Sequence, residues 1–196
     1  MYFDNIKLFN VREAVLNIDN IYAHKKEQTD EKEKLIEHMD LTYEYFQAIC
    51  REKNLDTVFE NMEKKLLNKV SFEGISLWKE LLCNAIYMHD IGKINCNFQT
   101  RKMKNNKFKD VPNSDSKHSM LSACIYFDHY LQKIYVKENG DRPILLTFLL
   151  LNSYLISKHH GMLEDFPQFK DKFIEGFKTY CNNKKLYPHY KYIFKV

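Results

Sequence analysis

A histidine and an aspartate stand side by side at His89 and Asp90, inside the stretch MHDIGK of residues 88–93. Apolar residues before this pair recur at helical spacing and predict a helix that leads into it: Leu77, Leu81, Leu82, Ala85 and Ile86. Successive side chains on a regular helix point about 100° apart, so the pair can share a metal ion only near a helix end. Gly92 is the expected stop of this helix. Taken alone, the pair is more typical of a buried histidine next to an aspartate at the C-terminal end of a helix.

The distribution of the other histidines favours a metal site. Five of the eight histidines are expected at helix ends or on inward-facing helix surfaces: His38, His89, His118, His159 and His160. Each alone is more typical of an ordinary hydrogen-bonded helix residue, but with Asp90 they form a candidate ligand set on four helices. The other three are expected to be structural or superficial: His24, His129 and His189.

Imidazole and carboxylate ligands favour Mn, Fe, Co, Ni or Zn over Mg or Ca. No cysteine belongs to the set, which argues against a thiolate-rich structural zinc site. A set of more than four ligands indicates two metals, with Asp90 as the bridge. Two such ions about 3.5–4 Å apart clamp a phosphodiester and activate a water for its hydrolysis.

The composition is that of one soluble globular domain. The chain has 196 residues, of which 44% are hydrophobic and 29% charged. Five glycines and four prolines are few, which favours long helices. The net charge of +4 permits a polyanionic partner without requiring one. Five cysteines without a C-x-x-C pair argue against a disulfide scaffold or a zinc ribbon and favour the reducing cytoplasm.

The elements that must position the histidines are read as helices, and no convincing β-strand is found. Amphipathic or apolar periodicity predicts helices at 31–53, 56–69, 118–136, 143–158 and 166–181, besides the one that follows a break at 71–74. The expected N-caps are Asp115 or Ser116 before residue 118 and Asp141 before residue 143. Residues 139–141 are expected to form a turn. The most apolar run, 144–156, is too short to span a bilayer, because a membrane-spanning helix needs about 20 residues. The chain is predicted to be one all-α domain, residues 1–196, without a membrane segment.

Residues 95–117 lack periodicity and are predicted to form a basic loop. Five cations crowd into nine of these residues: Arg101, Lys102, Lys104, Lys107 and Lys109. The loop is either a solvated surface segment or, beside a phosphate-cleaving site, a contact to the nucleic-acid backbone.

The order of these motifs resembles the HD superfamily of metal-dependent phosphohydrolases. More specifically, it resembles the HD nuclease domain of the CRISPR-associated helicase–nuclease of type I systems. The matching pieces span about residues 20–165: YAHK at 22–25, LIEH at 35–38, HDIGK at 89–93 with FQ at 98–99, HS at 118–119 with SA at 122–123, and HHG at 159–161. The HDIGK piece is shared by many HD hydrolases, whereas FQ and HHG at this joint spacing are more specific.

The resemblance implies an HD-domain helical bundle with a metal site at its centre. It also implies a nuclease activity on single-stranded DNA, namely on the strand that is displaced when a guide-RNA complex opens its target. It implies one or two divalent transition-metal ions, namely Mn, Ni, Co or Fe, with Zn inhibitory or structural. One metal would take His38, His89 and Asp90, and the second would take Asp90, His118, His159 and His160. Lys93 would lie near the scissile phosphate and stabilise developing charge. The predicted substrate contacts are His24, Lys25, Ser119, Ser122, Arg101, Lys102 and Lys104. The two serines are expected at most to support a metal ligand or to touch the substrate.

One part of the family pattern is not matched. The family has a further Asp ligand several tens of residues after the His-His pair, and the later acids of this chain come too soon: Glu164, Asp165, Asp171 and Glu175. Either the chain is a piece of a longer protein, or the first metal lacks one ligand and binds loosely. No phosphate-binding loop of the form G-x-x-x-x-G-K-[ST] is found, so the helicase is expected on another chain or on a part outside these residues.

Two alternative functions remain open from the sequence. One is an HD phosphohydrolase acting on nucleotides or cyclic nucleotides, which would have a closed pocket rather than an open groove. The other is a non-catalytic HD-fold binding protein, which would have lost its ligand residues.

Overall fold

The computed structural model of the protein describes residues 2–26, 29–137 and 140–191. The helices are α1 (Val11–Ala14), α2 (Leu35–Glu52), α3 (Asp56–Leu66), α4 (Phe72–Tyr87), α5 (Ser119–Tyr135), α6 (Arg142–Lys158) and α7 (Phe166–Asn182). Two short strands, β1 (Tyr22–Lys25) and β2 (Lys32–Lys34), form one antiparallel hairpin. The all-α class predicted from periodicity is confirmed. Asn139 of the predicted turn and residues 192–196 of the tail lie outside the described residues.

Helix α6 packs against α4 and α5, and α5 in turn packs against α7. The buried face of α6 carries Leu145, Leu149 and Ile156, which are at most 3% exposed. Because this helix is apolar nearly all round, its sequence predicts burial on every side, but this is wrong: Leu151 and Leu155 on its outer face are 42% and 55% exposed. No helix in the described ranges combines the length and the apolar character that crossing a bilayer requires.

The hairpin was not expected from the sequence. The predicted helix at 31–53 begins only at Leu35, because residues 32–34 pair with β1. A distant side chain holds β1 in place: Gln99 Oε1 accepts from the Tyr22 backbone N–H at 3.1 Å, and Gln99 Nε2 donates to the Tyr22 carbonyl at 2.8 Å. These contacts override local helix propensity. The register sets His24 opposite Glu33, beside the start of α2.

Residues 95–117 do not form a plain solvated loop, which was one of the two readings left open, but a segment wrapped around buried amides. The buried amide side chains are Asn95, Asn97, Gln99 and Asn105, each at most 4% exposed. Asn97 Nδ2 donates to the carbonyls of Val111 and Ser114, both at 2.9 Å. Residues Phe98–Lys102 form a π-helical turn. Side-chain hydrogen bonds thus replace regular secondary structure here, which explains the missing periodicity.

The structure corrects three predictions about helix ends. Ser71 does not belong to a break but caps α4, accepting from the Gly74 N–H at 3.0 Å. The Asp141 carboxylate does not cap its own helix; it accepts from the Ser71 backbone N–H at 3.0 Å and from the Ser71 hydroxyl. The N-cap of α5 is His118, without a side-chain cap bond, and not Asp115 or Ser116.

Gly92 is not the stop of α4, which ends five residues earlier at Tyr87. It lies in the 3-10 turn Ile91–Ile94, directly against the start of α5. A Cβ atom on Gly92 would lie 2.1 Å from the His118 carbonyl oxygen and 2.6 Å from the Ser122 nitrogen. The glycine is therefore required by the close approach of two backbones.

We expect Gly92→Ala to lower the free energy of unfolding by about 3 kcal/mol or more, because the opposing atoms belong to the backbone and cannot move aside cheaply. Urea unfolding in the presence of a chelator measures this. Gly140→Ala is the matched control, since no atom of the described residues, apart from its chain neighbours, lies within 4 Å of its added Cβ. Equal unfolding midpoints for the two variants would contradict the packing argument.

Candidate metal centre

Asp90 lies at the centre of a group of imidazoles. It follows α4 in the chain, is 1% exposed, and turns its two carboxylate oxygens to different histidines. The Oδ2 atom lies 3.0 Å from His38 Nε2 and 3.4 Å from His89 Nε2. The Oδ1 atom lies 3.1 Å from both His118 Nε2 and His159 Nε2. One carboxylate is therefore flanked by two separate pairs of imidazoles.

The four histidines come from the ends of four helices. His38 lies in the first turn of α2, and His118 caps the start of α5. His89 and His159 follow the last residues of α4 and α6. Because the backbone turns after Tyr87, His89 and Asp90 aim at one point although they are neighbours in the chain.

Two sets of side chains offer ligand atoms that lie within 4.8 Å of one another. The sets share Asp90; the first is His38, His89 and Asp90, and the second is Asp90, His118, His159 and His160. We call their six members the Asp90 cluster. The structure thus brings together all six residues that were predicted as ligands, although their role as ligands stays a prediction. None of the acids at 164, 165, 171 and 175 belongs to a candidate metal group among the described residues.

In two histidines, backbone carbonyls hold the ring nitrogen that faces away from Asp90, which is Nδ1. His89 Nδ1 lies 2.9 Å from the Ile86 carbonyl oxygen, and His159 Nδ1 lies 2.6 Å from the Ile156 carbonyl oxygen. A carbonyl can only accept, so each Nδ1 carries a proton, and each Nε2 can hold either a second proton that it donates to Asp90 or a metal ion. Both Nε2 atoms point towards Asp90, which is the arrangement of a histidine that ligates a metal.

The charge of Asp90 is stabilised by its neighbours. Burial alone would raise the pKa of this carboxyl, but the contacts with His118, His159, His38 and His89 outweigh burial and hold the pKa well below its ordinary value. The pKa of His160 is lowered, first by burial and then by the neighbouring His159. The Asp90 cluster therefore combines an ionised carboxylate with a neutral imidazole at the surface.

The donor set fits a divalent transition metal. The Nε2 atoms of His38 and His118 are buried and make no hydrogen bond with any described residue, although each lies close to an Asp90 oxygen. Buried polar atoms normally have a partner, and a cation between the carboxylate and the imidazoles would supply one. Nitrogen and carboxylate donors without thiolates suit Mn, Fe, Co, Ni or Zn.

Lys93 is buried beside the cluster, with 2% exposure. Its Nζ lies 2.8 Å from Asp90 Oδ2 and 3.1 Å from His24 Nε2. The pKa of His24 is lowered, first by burial and then by the charge of Lys93, which suits a neutral ring that accepts from the ammonium. Lys93 is thus a fixed positive charge at the edge of the cluster.

An open cleft of about 1340 Å³ runs past the cluster. Its lining extends from His24 in the hairpin to Tyr180 in α7 and includes His118 and His160. The charged residues along it are mainly lysines: Lys25, Lys93, Lys102, Lys117, Lys158 and Lys172, against Asp115 and Glu175. The cluster therefore opens onto a mostly positive groove.

The predicted substrate contacts divide into two groups. His24, Lys25, Lys102 and Ser119 line the cleft. The other three do not line it: Arg101, Lys104 and Ser122.

Each of those three has another role in the structure. Arg101 forms a two-bond ion pair with Asp110, and the Lys104 carbonyl accepts from Lys32. Ser122 is completely buried and its Oγ accepts from the Gly92 N–H at 2.8 Å, so it supports the turn that follows Asp90.

Sequence reasoning missed Glu33. Its Oε1 lies 3.3 Å from His38 Nδ1, and it forms a third close group of possible ligands with His24 and His38. Glu33 lies in a run of alternating charges without periodicity, and only the unpredicted hairpin brings it to the site. The role of Gln99 in the FQ motif was also invisible: its amide joins the Tyr22 backbone to the Lys93 carbonyl, which lies 2.7 Å from Gln99 Nε2.

Comparison with known proteins gives one result. A family model described as "Cas3, HD domain" matches residues 23–181 of the chain. Neither the curated proteins nor the solved structures gave a significant match. The matched range contains all six residues of the Asp90 cluster, and it agrees with the resemblance carried by the motifs.

Proposed function

Since the chain belongs to the Cas3 HD-domain family of metal-dependent hydrolases, we propose that it is a nuclease that cleaves single-stranded DNA during interference by a type I CRISPR system. The observation that carries this proposal is the position of the Asp90 cluster. A buried carboxylate flanked by two imidazole pairs lies beside a cleft that His118 and His160 line, and the charged residues of that cleft are mainly lysines. The reaction is hydrolysis of a phosphodiester bond.

We assign the metal ligands as the two sets that share Asp90. The first ion is held by His38, His89 and Asp90, and the second by Asp90, His118, His159 and His160. Manganese, nickel, cobalt and iron are the preferred ions, with zinc inhibitory or structural. When bound, such ions supply a Lewis acid for the phosphate and lower the pKa of a water.

The residues of the chain supply orientation and charge. The Ile86 and Ile156 carbonyls hold two imidazoles with their Nε2 atoms inward. Lys93, fixed by Asp90 and His24, stabilises negative charge that develops on the phosphate. Because its ammonium group is already held by both partners, the Lys93 side chain needs little movement during the reaction.

The shape of the site favours a polymer over a nucleotide. A pocket for a small nucleotide encloses its ligand, whereas this cleft is open and extends from the hairpin to α7. We propose that the strand is delivered by a helicase domain or subunit working with the guide-RNA complex in the cytoplasm. All five cysteines are free, as suits a reducing compartment.

The test is cleavage of circular single-stranded DNA by the chain with Mn²⁺, Co²⁺, Ni²⁺, Mg²⁺ or a chelator. Circles have no ends, so linear products require endonuclease cleavage. We expect linear products with the transition metals and none with the chelator. Parallel assays with cyclic nucleotides, RNA and duplex DNA define the substrate. Hydrolysis of a cyclic nucleotide by a chain that leaves the circles intact would favour the phosphohydrolase instead.

Lys102 and Lys117 are the expected contacts to the DNA backbone, since both line the cleft and neither forms an ion pair with another described residue. We expect Lys102→Ala with Lys117→Ala to weaken single-strand binding. The plot of log affinity against log salt should become shallower by about 1.4, or about 0.7 for each phosphate that the protein no longer neutralises. Fluorescence anisotropy at several salt concentrations measures both effects.

The matched control replaces two exposed lysines elsewhere, Lys65 and Lys69. It removes the same net charge and should leave the salt dependence as in the wild type. An equal effect of both pairs would mean that only net charge matters and that the cleft is not the binding surface.

A further inference from the structure

The two ring nitrogens of His38 face two different carboxylates. Nε2 lies 3.0 Å from Asp90 Oδ2, inside the cluster. Nδ1 lies 3.3 Å from Glu33 Oε1, on the opposite side of the ring. Glu33 comes from β2, and its side chain is 32% exposed, whereas that of Asp90 is 2% exposed. The ring is thus held between a buried carboxylate and one near the surface.

His38 needs an external acceptor because of its place in its helix. His89 and His159 follow helix C-terminal ends, where the last carbonyls lack helical partners and can accept from Nδ1. His38 lies in the first turn of α2, where the free backbone groups are N–H donors. Its Nδ1 proton therefore finds no carbonyl acceptor in its own helix, and Glu33 supplies one from the hairpin.

We propose that Glu33 is a positioning residue that keeps Nδ1 of His38 protonated and turns its Nε2 lone pair towards Asp90. This inference rests on the proposed metal centre. A carboxylate on the outer nitrogen of a metal-binding histidine fixes the ring and increases its basicity. The hairpin, whose register sets Glu33 opposite His24, is thereby part of the metal centre although it supplies no ligand to the two sets around Asp90.

The test measures Co²⁺ binding by calorimetry and by the visible absorption of the bound ion, with the 196-residue chain. We expect Glu33→Ala to weaken the affected site about 10- to 100-fold. Glu33→Gln keeps a carbonyl oxygen that accepts from Nδ1–H, and it should recover most of the affinity. Glu31→Ala removes the same charge two residues away, from a side chain paired with Lys26 at the surface, and should bind cobalt as the wild type does.

A double-mutant cycle with His38→Ala shows whether Glu33 acts through the ring. We expect Glu33→Ala to cost nothing further once His38 is absent. The melting temperature in chelator should be nearly the same for all Glu33 variants, because the effect requires the metal.

Three results would overturn the proposal: wild-type affinity in Glu33→Ala, no recovery in Glu33→Gln, or an undiminished cost in the His38→Ala background. A wild-type chain that binds no cobalt would overturn the metal centre itself. That failure is distinguishable because it does not depend on Glu33.

Discussion

Asp90→Asn is expected to abolish the cleavage of single-stranded DNA and the binding of divalent transition metals together. The carboxylate is the one group shared by both ligand sets, so its loss weakens both ions at once. Cleavage should fall by more than about 10³-fold, since removal of one stabilising donor alone costs about 10²–10³ in rate. Circular single-stranded DNA and Mn²⁺ measure the cleavage, and calorimetry measures the binding.

This substitution also leaves a buried charge without its partner. Lys93 Nζ lies 2.8 Å from Asp90, and loss of one member of a buried pair costs about 3–5 kcal/mol. The combination of Asp90→Asn with Lys93→Met removes both charges and should fold more stably than Asp90→Asn alone. It should remain inactive and metal-free.

Asp128→Asn is the matched control for the aspartate. Asp128 is a buried carboxylate on α5, 3% exposed, and accepts from the Tyr180 hydroxyl at 2.6 Å, away from the cluster. It should retain metal binding and cleavage whenever it is folded. Full activity in Asp90→Asn would contradict the assignment of the bridging ligand.

Lys93→Met is expected to lower the rate of cleavage about 10²- to 10³-fold while metal affinity stays equal or increases. The ammonium stabilises charge on the phosphate but also pairs with Asp90 Oδ2, where it competes with a cation for the carboxylate. Methionine fills most of the same buried volume without the charge. Single-turnover cleavage and Co²⁺ titration of the same sample separate the two effects.

Lys133→Met provides the comparison, because Lys133 is a half-buried lysine paired with Glu80 at 2.6 Å and belongs neither to the cleft nor to the cluster. Its cleavage rate should equal that of the wild type. If Lys93→Met instead lost its metals, the lysine would be required to build the centre, and its assigned role in charge stabilisation would be wrong.

The long helices were predictable because their apolar faces repeat every three to four residues over several turns. The predicted helix 56–69 corresponds to Asp56–Leu66, and 166–181 corresponds to Phe166–Asn182. Periodicity says nothing about which helix ends meet in space. The histidines and Asp90 were proposed as one ligand set from their expected places at helix ends, but the division of the histidines between two metals came only from the family resemblance.

The parts that could not be predicted depend on contacts between distant residues. Strand β2 is three residues long, too short for a period, and β1 is held by the amide of Gln99, 77 residues away. The carboxylate of Glu33 reaches His38 only because that hairpin forms. Similarly, Gly92 was interpreted as a helix stop, because the residues around it do not show that the backbone of α5 approaches it closely in the folded chain.

The most direct test of the metal centre is anomalous diffraction from crystals of the chain soaked in Mn²⁺ or Co²⁺. We expect two peaks at Asp90, one on the side of His38 and His89 and the other on the side of His118 and His159. The absence of any peak at Asp90 in a metal-saturated crystal would contradict the proposed metal centre.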